Sequence, residues 1–325
     1  MPLRVITLLR VFYLILLIMF DFPIHSPVQR LHFNVPDGFE LYIKRDDLID
    51  PLISGNKWRK LKYSLQDAKQ KNKSILVSFG GAYSNHLLAL ASAAAKFGFQ
   101  SVGFIRGDEK RDASVYCTLY ELFGMQLIPL SREEYKHKTS AYQQHFGQNE
   151  QAYFIDEGGR SALGSLGCEE IMDELDTTYD AIFLAAGTAC TSAGILNAIY
   201  KHKLNTQLHI VAVHKGFDEI TSALTELSLN LYPIPDTQYS IHHSTTRYAQ
   251  HTKELLLFCL DIQKHTGILI EPIYTAKALQ ACYDWMKEQK KEEKIKKILF
   301  LHTGGMLGNL GKIDAFSNLF NENKS

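Results

Sequence analysis

The stretch from Ser74 to Gly98 reads SILVSFGGAYSNHLLALASAAAKFG, and its three parts set the pattern for the rest of the chain. SILVSF is a short, continuous apolar run rich in branched residues, the mark of a strand buried on both faces. Gly80 and Gly81 break it. Ser84 and Asn85 follow where a helix begins, and both residue types favour the position that caps free backbone N–H groups. HLLALASAAAKFG then reads as a helix that stops at Gly98, since glycine readily takes the left-handed conformation that ends helices.

The same alternation extends in both directions. SVGFIR (101–106) is a second strand, DASVYCTLYELFG a helix ended by glycine, MQLIPL a third strand. A polar helix runs to about Phe146, and AYFID follows it. The second half repeats the rhythm with AIFLAAG (181–187), a helix to Tyr200, HIVAVHK (209–215), another helix, and KILFLHT (297–303) before a glycine-rich turn. Strands alternating with helices in this way predict an α/β fold, a parallel sheet with helices on both faces. No low-complexity linker and no repeat of 20–50 residues interrupts it.

Composition narrows the function. The 325 residues are 46% hydrophobic and 22% charged, with 35 Lys and Arg against 35 Asp and Glu. A balanced charge provides no overall field for nucleic acid or anionic lipid. The run KEQKKEEKIKK (287–297) is expected at the exposed end of a helix, because glutamates interrupt it and no aromatic residues are interleaved. Five cysteines, Cys117, Cys168, Cys190, Cys259 and Cys282, are odd in number and lack any C-x-x-C pair. They predict neither a disulfide framework nor a metal site, and they suit a reducing cytoplasm. VFYLILLIMF (11–20), behind Arg4 and Arg10, imitates a signal peptide. The run is shorter than the ~20 residues of a membrane span, and no small-residue cleavage site follows. Residues 1–18 are therefore expected to be an apolar leader outside the functional protein, with a cytosolic chain from Met19 and no membrane partner.

Ligands of open parallel sheets sit beyond the carboxyl ends of the strands. After 74–79, GGAYSNH is open to two readings: Ser84 or Asn85 as a helix cap, or a backbone turn that accepts a carboxylate at a helix N-terminus. After 181–187, GTACTSAG (Gly187 to Gly194) is either a capped turn or a cradle for a single phosphate. It matches neither G-x-G-x-x-G nor the Walker pattern, so no dinucleotide or nucleoside triphosphate is indicated. In HTGGMLG, Thr303 ends a buried strand with its hydroxyl expected in the same crevice. DEGGRSALGSLG, from Asp156, reads most simply as a connecting turn.

A fifth stretch, SGNKWRKL (Ser54 to Leu61), puts Lys57 in the mouth of a helix, whereas Lys60 and Lys62 are expected along its solvated face. A lysine for an aldehyde, N–H groups for one phosphate and a donor for a ring nitrogen are the needs of pyridoxal 5'-phosphate.

LYIKRDDL, SGNKWRKLKYSL, FGGAYSNHLLALA, DEGGRSALGSLG, GTACTSAG, EPIYTAKAL and FLHTGGMLG occur in the order found in the D-cysteine desulfhydrase / 1-aminocyclopropane-1-carboxylate (ACC) deaminase family. The chain resembles that family from about residue 20 to 317. The resemblance implies a pyridoxal-phosphate enzyme of fold type II, like the tryptophan synthase β-subunit, with two domains of open twisted parallel sheets. Residues 55–160 would form the smaller domain, and 19–54 with 161–325 the larger, cofactor-binding one. It implies that Lys57 bonds to the cofactor aldehyde and later carries the substrate proton. Asn85 would meet the cofactor's phenolic oxygen, and Ser84 the substrate carboxylate. Gly187, Thr188, Ala189, Cys190 and Thr191 would form the phosphate loop, although relatives often have glycine where Ala189 and Cys190 stand. Tyr274 matches an active-site tyrosine, and Tyr248 a second one in departing surroundings. A homodimer is implied by the resemblance alone.

Within the family, ACC deaminases resemble one another in having Glu where this chain has Thr275, and His-Leu where it has His302-Thr303. Threonine at both positions is the desulfhydrase pattern. A threonine hydroxyl can donate a hydrogen bond to the pyridine nitrogen but cannot hold a charge there as a carboxylate does. A weaker electron sink suffices when Cβ bears a leaving group. The expected reaction is β-elimination from a small D-amino acid, D-cysteine first, giving pyruvate, sulfide and ammonia. ACC deamination, another lyase or racemase reaction, and a non-catalytic cofactor carrier are the alternatives.

Overall fold

The computed structural model describes residues 22–107, 115–213, 216–227, 238–244, 250–290 and 294–322. The leader 1–18 and Tyr248 lie outside the described residues. The described residues begin with β1 (Val28–Leu31) and β2 (Phe39–Lys44), then α1 (Asn56–Gln70), β3 (Ile75–Gly80), α2 (Asn85–Phe97), β4 (Gln100–Arg106) and α3 (Val115–Leu122). It continues with β5 (Met125–Leu130), α4 (Lys138–Phe146), β6 (Ala152–Phe154), α5 (Ala162–Asp173), β7 (Ala181–Ala186), α6 (Cys190–Lys201) and β8 (Gln207–Ala212). The last part holds α7 (Phe217–Leu227), β9 (Tyr239–His243), α8 (Lys253–Thr266), α9 (Thr275–Glu288), β10 (Lys296–Leu301) and α10 (Ile313–Glu322).

Among the described residues the strands form two sheets, one in the order β5-β4-β3-β6 and one in the order β1-β2-β10-β7-β8-β9. All pairs of the smaller sheet are parallel, with Ile75 opposite both Gln100 and Ala152. The larger sheet is parallel except at its edge, where β1 runs antiparallel to β2. The continuous alternation predicted from sequence does not foresee that edge, because β1 joins β2 through a short turn rather than a crossover helix. The charged run 287–297 also differs from expectation. α9 ends at Glu288, and Lys296 and Lys297 already belong to β10.

α2 is buried from His86 to Ala94, and Leu87, Leu88 and Leu90 share one core with Trp58, Leu61 and Leu65 of α1. An apolar helix without a polar face is stable only when covered on all sides. α1 meets α5 on another side, so closely that a Cβ on Gly167 would lie 2.0 Å from the carbonyl oxygen of Arg59. α1 is thus packed by both halves of the molecule.

A buried ionic network fixes this helix. Arg59, fully enclosed, grips Asp46 through Nε and Nη2 at 2.7 Å each and Glu174 through Nη1 at 2.8 Å and Nη2 at 2.9 Å. Lys44 Nζ donates to the same Glu174 at 2.7 Å. Arg45 pairs with Asp47 beside them, at 2.7 Å. Bidentate geometry and satisfied partners are what let such charges stay buried. The segment KRDDL therefore anchors the turn that presents Lys57.

Candidate active site

Lys57 lies in the first turn of α1, behind a residue that only glycine fits. Gly55 has φ 62° and ψ −139°, and a Cβ there would stand 1.9 Å from the carbonyl oxygen of Thr303. That contact, with the hydrogen bond from Asn56 N to Thr303 O at 3.2 Å, binds the helix mouth to the end of β10. Lys57 Nζ donates to Asn56 Oδ1 at 2.7 Å, and Asn56 Nδ2 donates to Thr191 Oγ1 at 3.0 Å. One chain of contacts thus joins Lys57 to the loop after β7. Burial, and next the positive charge of Lys60, pull the Lys57 ammonium down to about 7. A group so poised is partly a free amine at neutral pH, as a nucleophile for an aldehyde must be.

Lys60 is not on the solvated face that the sequence suggested. It is 4% exposed, and its Nζ reaches to 3.5 Å from Thr188 Oγ1. The cause is the covering of α1 by α5 and by the turn at Gly158 and Gly159. A Cβ on Gly159 would lie 3.0 Å from Lys60 Cβ, and one on Gly158 would lie 2.9 Å from Thr188 Cγ2. The paired glycines that read as a plain connection therefore form one wall of the phosphate-loop candidate. Lys62 does face outward, in an ion pair with Glu170 at 2.7 Å.

Gly187, Thr188, Ala189, Cys190 and Thr191 lead into α6. Ala189 caps the helix with φ 59° and ψ 0°, a left-handed conformation rare for a residue with a Cβ. A left-handed residue followed by a helical one turns successive N–H groups to the same side, which makes an anion nest. The N–H groups of the first helical turn add to it. Cys190 Sγ donates back to the carbonyl oxygen of Gly159 at 3.6 Å.

Across the cleft, Ser84 caps α2, accepting from Leu87 N at 3.2 Å. The capping reading thus holds for Ser84, and it presents the same helix N-terminus to the crevice. Asn85 Oδ1 accepts from Tyr116 OH at 3.2 Å, and its Nδ2 would lie 3.0 Å from a Cβ on Gly305. His86, 2% exposed, holds Ser78 Oγ at 2.9 Å through Nε2. Burial, with the nearby charges of Lys57 and Lys60, lowers its pKa to about 3 and keeps it neutral.

The far end of the cleft is built around a carboxylate that sequence reasoning passed over. Glu271, fully buried, accepts from Ile273 N at 2.7 Å through Oε2, and from Tyr274 N and Thr275 N at 2.8 Å through Oε1. Thr275 Oγ1 accepts from Glu271 N at 2.9 Å and sits 3.2 Å from both Glu271 O and Oε1. Thr275 is therefore committed to this turn, and its hydroxyl is not free for a ring nitrogen as the sequence reading had it. Thr303 differs: it is 8% exposed and its hydroxyl forms no hydrogen bond with the described residues. His302 fixes the strand end, with Nε2 donating to Leu269 O at 2.8 Å and Nδ1 accepting from Gly304 N at 3.2 Å, a tautomer set by these partners. Tyr274 packs against the phosphate loop, 3.3 Å from a Cβ placed on Gly187.

These residues suit a phosphorylated pyridine aldehyde. Two buried polar atoms of the region, His86 Nδ1 and Ser192 Oγ, have no hydrogen-bond partner among the described residues, and such atoms call for a ligand or solvent. A cationic Lys60, an N–H nest, an amine at Lys57 and a free hydroxyl at Thr303 match a phosphate, an aldehyde and a ring nitrogen.

A family model described as "Pyridoxal-phosphate dependent enzyme" matches residues 22–304. A putative 1-aminocyclopropane-1-carboxylate deaminase of Thermotoga maritima is 31% identical over 305 residues, covering 87% of this chain and 94% of that protein. An Arabidopsis thaliana protein named bifunctional D-cysteine desulfhydrase/1-aminocyclopropane-1-carboxylate deaminase, mitochondrial, is 29% identical over 318 residues, 90% of this chain and 79% of that one. A crystal structure described as that of an ACC deaminase homologue superposes with a TM-score of 0.81 at 26% identity, covering 94% of this chain and 98% of the other.

Proposed function

The chain belongs to the pyridoxal-phosphate dependent enzyme family, and we propose that its reaction is β-elimination from a small D-amino acid, D-cysteine first. Its cofactor is pyridoxal 5'-phosphate, its fold is that of fold type II, and its relatives carry deaminase and desulfhydrase names. The observation that carries the substrate reading is the hydroxyl of Thr303 at the strand end, which forms no hydrogen bond with the described residues. Glu271, at the far end of the cleft, is taken up by backbone N–H groups.

When bound, the cofactor supplies an electron sink for charge released at Cα of an amino acid. Lys60, with the N–H groups at Ala189 to Thr191, would hold its phosphate, and Asn85 its phenolic oxygen. Thr303 would donate to the ring nitrogen. A neutral donor keeps that sink modest, which favours substrates whose Cβ can release a stable anion. The N-terminus of α2 and the Ser84 turn would hold the substrate carboxylate through free N–H groups and the helix dipole. Lys57 Nζ, close to neutral pH in its titration, would take the Cα proton. Loss of the Cβ thiol as hydrosulfide and hydrolysis by water leave pyruvate and ammonia. Tyr274, against Gly187, would close the side of the cleft; Tyr248 is kept as a candidate on the resemblance alone.

The names of the relatives support a second reading, ACC deamination. Incubation with D-cysteine and, separately, with ACC tests the choice through sulfide and pyruvate in one case and 2-oxobutyrate in the other. A homodimer is proposed on the resemblance. A cytoplasmic setting is proposed on the five free, buried cysteines. No helix among the described residues is long and apolar enough to cross a membrane.

A further inference from the structure

We propose that Glu271 is a positioning residue for this site: while ionised, its carboxylate holds Tyr274 against the phosphate loop and braces the turn that faces Asn85. The proposal rests on the reading that the cleft binds pyridoxal 5'-phosphate.

Three segments converge on this carboxylate. The first is its own turn. Oε1 accepts from Tyr274 N and Thr275 N at 2.8 Å, and Oε2 from Ile273 N at 2.7 Å. Tyr274 leaves that turn directly toward Gly187. The second is the turn after Thr303. A Cβ on Gly308 would lie 3.3 Å from Glu271 Oε2, and one on Gly305 would lie 3.9 Å from Glu271 Cγ. Gly308 N donates to Gly305 O at 2.8 Å, so the two glycines move as one turn. The third is α2, since the same Cβ position on Gly305 would lie 3.0 Å from Asn85 Nδ2. Glu271 thus stands behind both the tyrosine at the phosphate end and the turn opposite the phenolic-oxygen candidate.

The ionised state matters because all the principal partners are donors. Protonation would turn one oxygen into a donor aimed at N–H groups, and at least one of the three backbone bonds would be lost. The groups within electrostatic reach of Glu271 are Lys57 of α1, Tyr116 of α3, Cys259 of α8 and Lys277 of α9. Burial pushes the Glu271 carboxyl up to about 7, against the pull of the three N–H groups and Thr275 Oγ1. The switch between its two forms therefore falls where an enzyme works. The same burial means that ionisation works against the stability of the fold. A carboxylate kept in such a place fits a role in the site better than a role as a plain helix cap.

The test is cofactor affinity of the full chain, read from the visible absorption of bound pyridoxal 5'-phosphate between pH 6 and 8.5. Wild-type protein is expected to bind about tenfold more weakly at pH 6 than at pH 8.5, with the midpoint near 7. Glu271→Gln is expected to bind more weakly than wild type at pH 8.5 and to keep only the shallower pH dependence that the Lys57 amine contributes. Should that variant fail to fold, Thr275→Val serves instead: loss of a hydroxyl that favours the ionised form must move the midpoint upward. A Glu271→Gln protein, or a Thr275→Val protein, with the wild-type profile overturns the proposal. Neither result affects the family reading, which fails only if wild-type protein binds no cofactor at Lys57.

Discussion

Gly55 and Thr303 touch backbone to backbone: a Cβ on the first would stand 1.9 Å from the carbonyl oxygen of the second. This contact brings the mouth of α1 to the end of β10, so that the Lys57 turn and the Thr303 hydroxyl share one cleft. Gly55→Ala must push the two segments apart and force alanine into φ 62°, ψ −139°. The expected cost is at least about 3 kcal/mol, read as a lower midpoint in denaturant unfolding with loss of the yellow holoenzyme. Wild-type stability in this variant would mean that the two segments are not joined there.

Lys57→Ala should abolish the cofactor bond. Purified wild-type protein is expected to be yellow, and borohydride followed by peptide mapping should place the cofactor on Lys57. The variant should keep colour only as free cofactor that dialysis removes. A reducible adduct persisting in the variant would put the reactive amine elsewhere.

Lys60→Met keeps the length and apolar stem of the side chain and removes its charge. Because Lys60 is buried beside Thr188, the expected effect is on phosphate affinity: the dissociation constant for pyridoxal 5'-phosphate should rise at least about tenfold, roughly 1.4 kcal/mol. Affinity for pyridoxal without its phosphate should change little. An equal loss for both ligands would contradict a phosphate role.

How much of this was legible in the chain depends on what surrounds each residue. The strands at 75–80, 100–106 and 181–186 announce themselves because both faces are apolar, and Gly98 marks its helix end. Lys57 stood out by its place after Gly55-Asn56. Lys60, three residues on, did not, because its burial comes from α5 and the Gly158-Gly159 turn, which are about a hundred residues away in sequence. Glu271 was visible only as one letter of EPIYTAKAL; its role depends on a turn that closes on its own N–H groups. The charges of KRDDL gave no sign of Glu174, whose partnership with Arg59 is wholly tertiary. The antiparallel β1 and the strand β9 were missed because their residues are half-exposed and carry no continuous apolar run.

Glu271 also makes a prediction about stability. Its carboxyl titrates at about 7 in the fold, above the ordinary carboxylate range. A raised pKa means that its contribution is intact at low pH and is lost as pH climbs from about 4.5 through 7. Between pH 5 and pH 8 the wild-type protein should lose stability relative to Glu271→Gln, by an amount on the order of 3 kcal/mol. Denaturant unfolding of both proteins at the two pH values measures it. A constant difference between them would show that Glu271 is ionised throughout.

The central claim is that this cleft catalyses β-elimination with a hydroxyl, not a carboxylate, at the ring end. Its most direct measurement is the product ratio of the holoenzyme given D-cysteine and ACC in parallel. The account predicts pyruvate and sulfide in equal amounts from D-cysteine, with little 2-oxobutyrate from ACC. Efficient release of 2-oxobutyrate from ACC without sulfide from D-cysteine would contradict it.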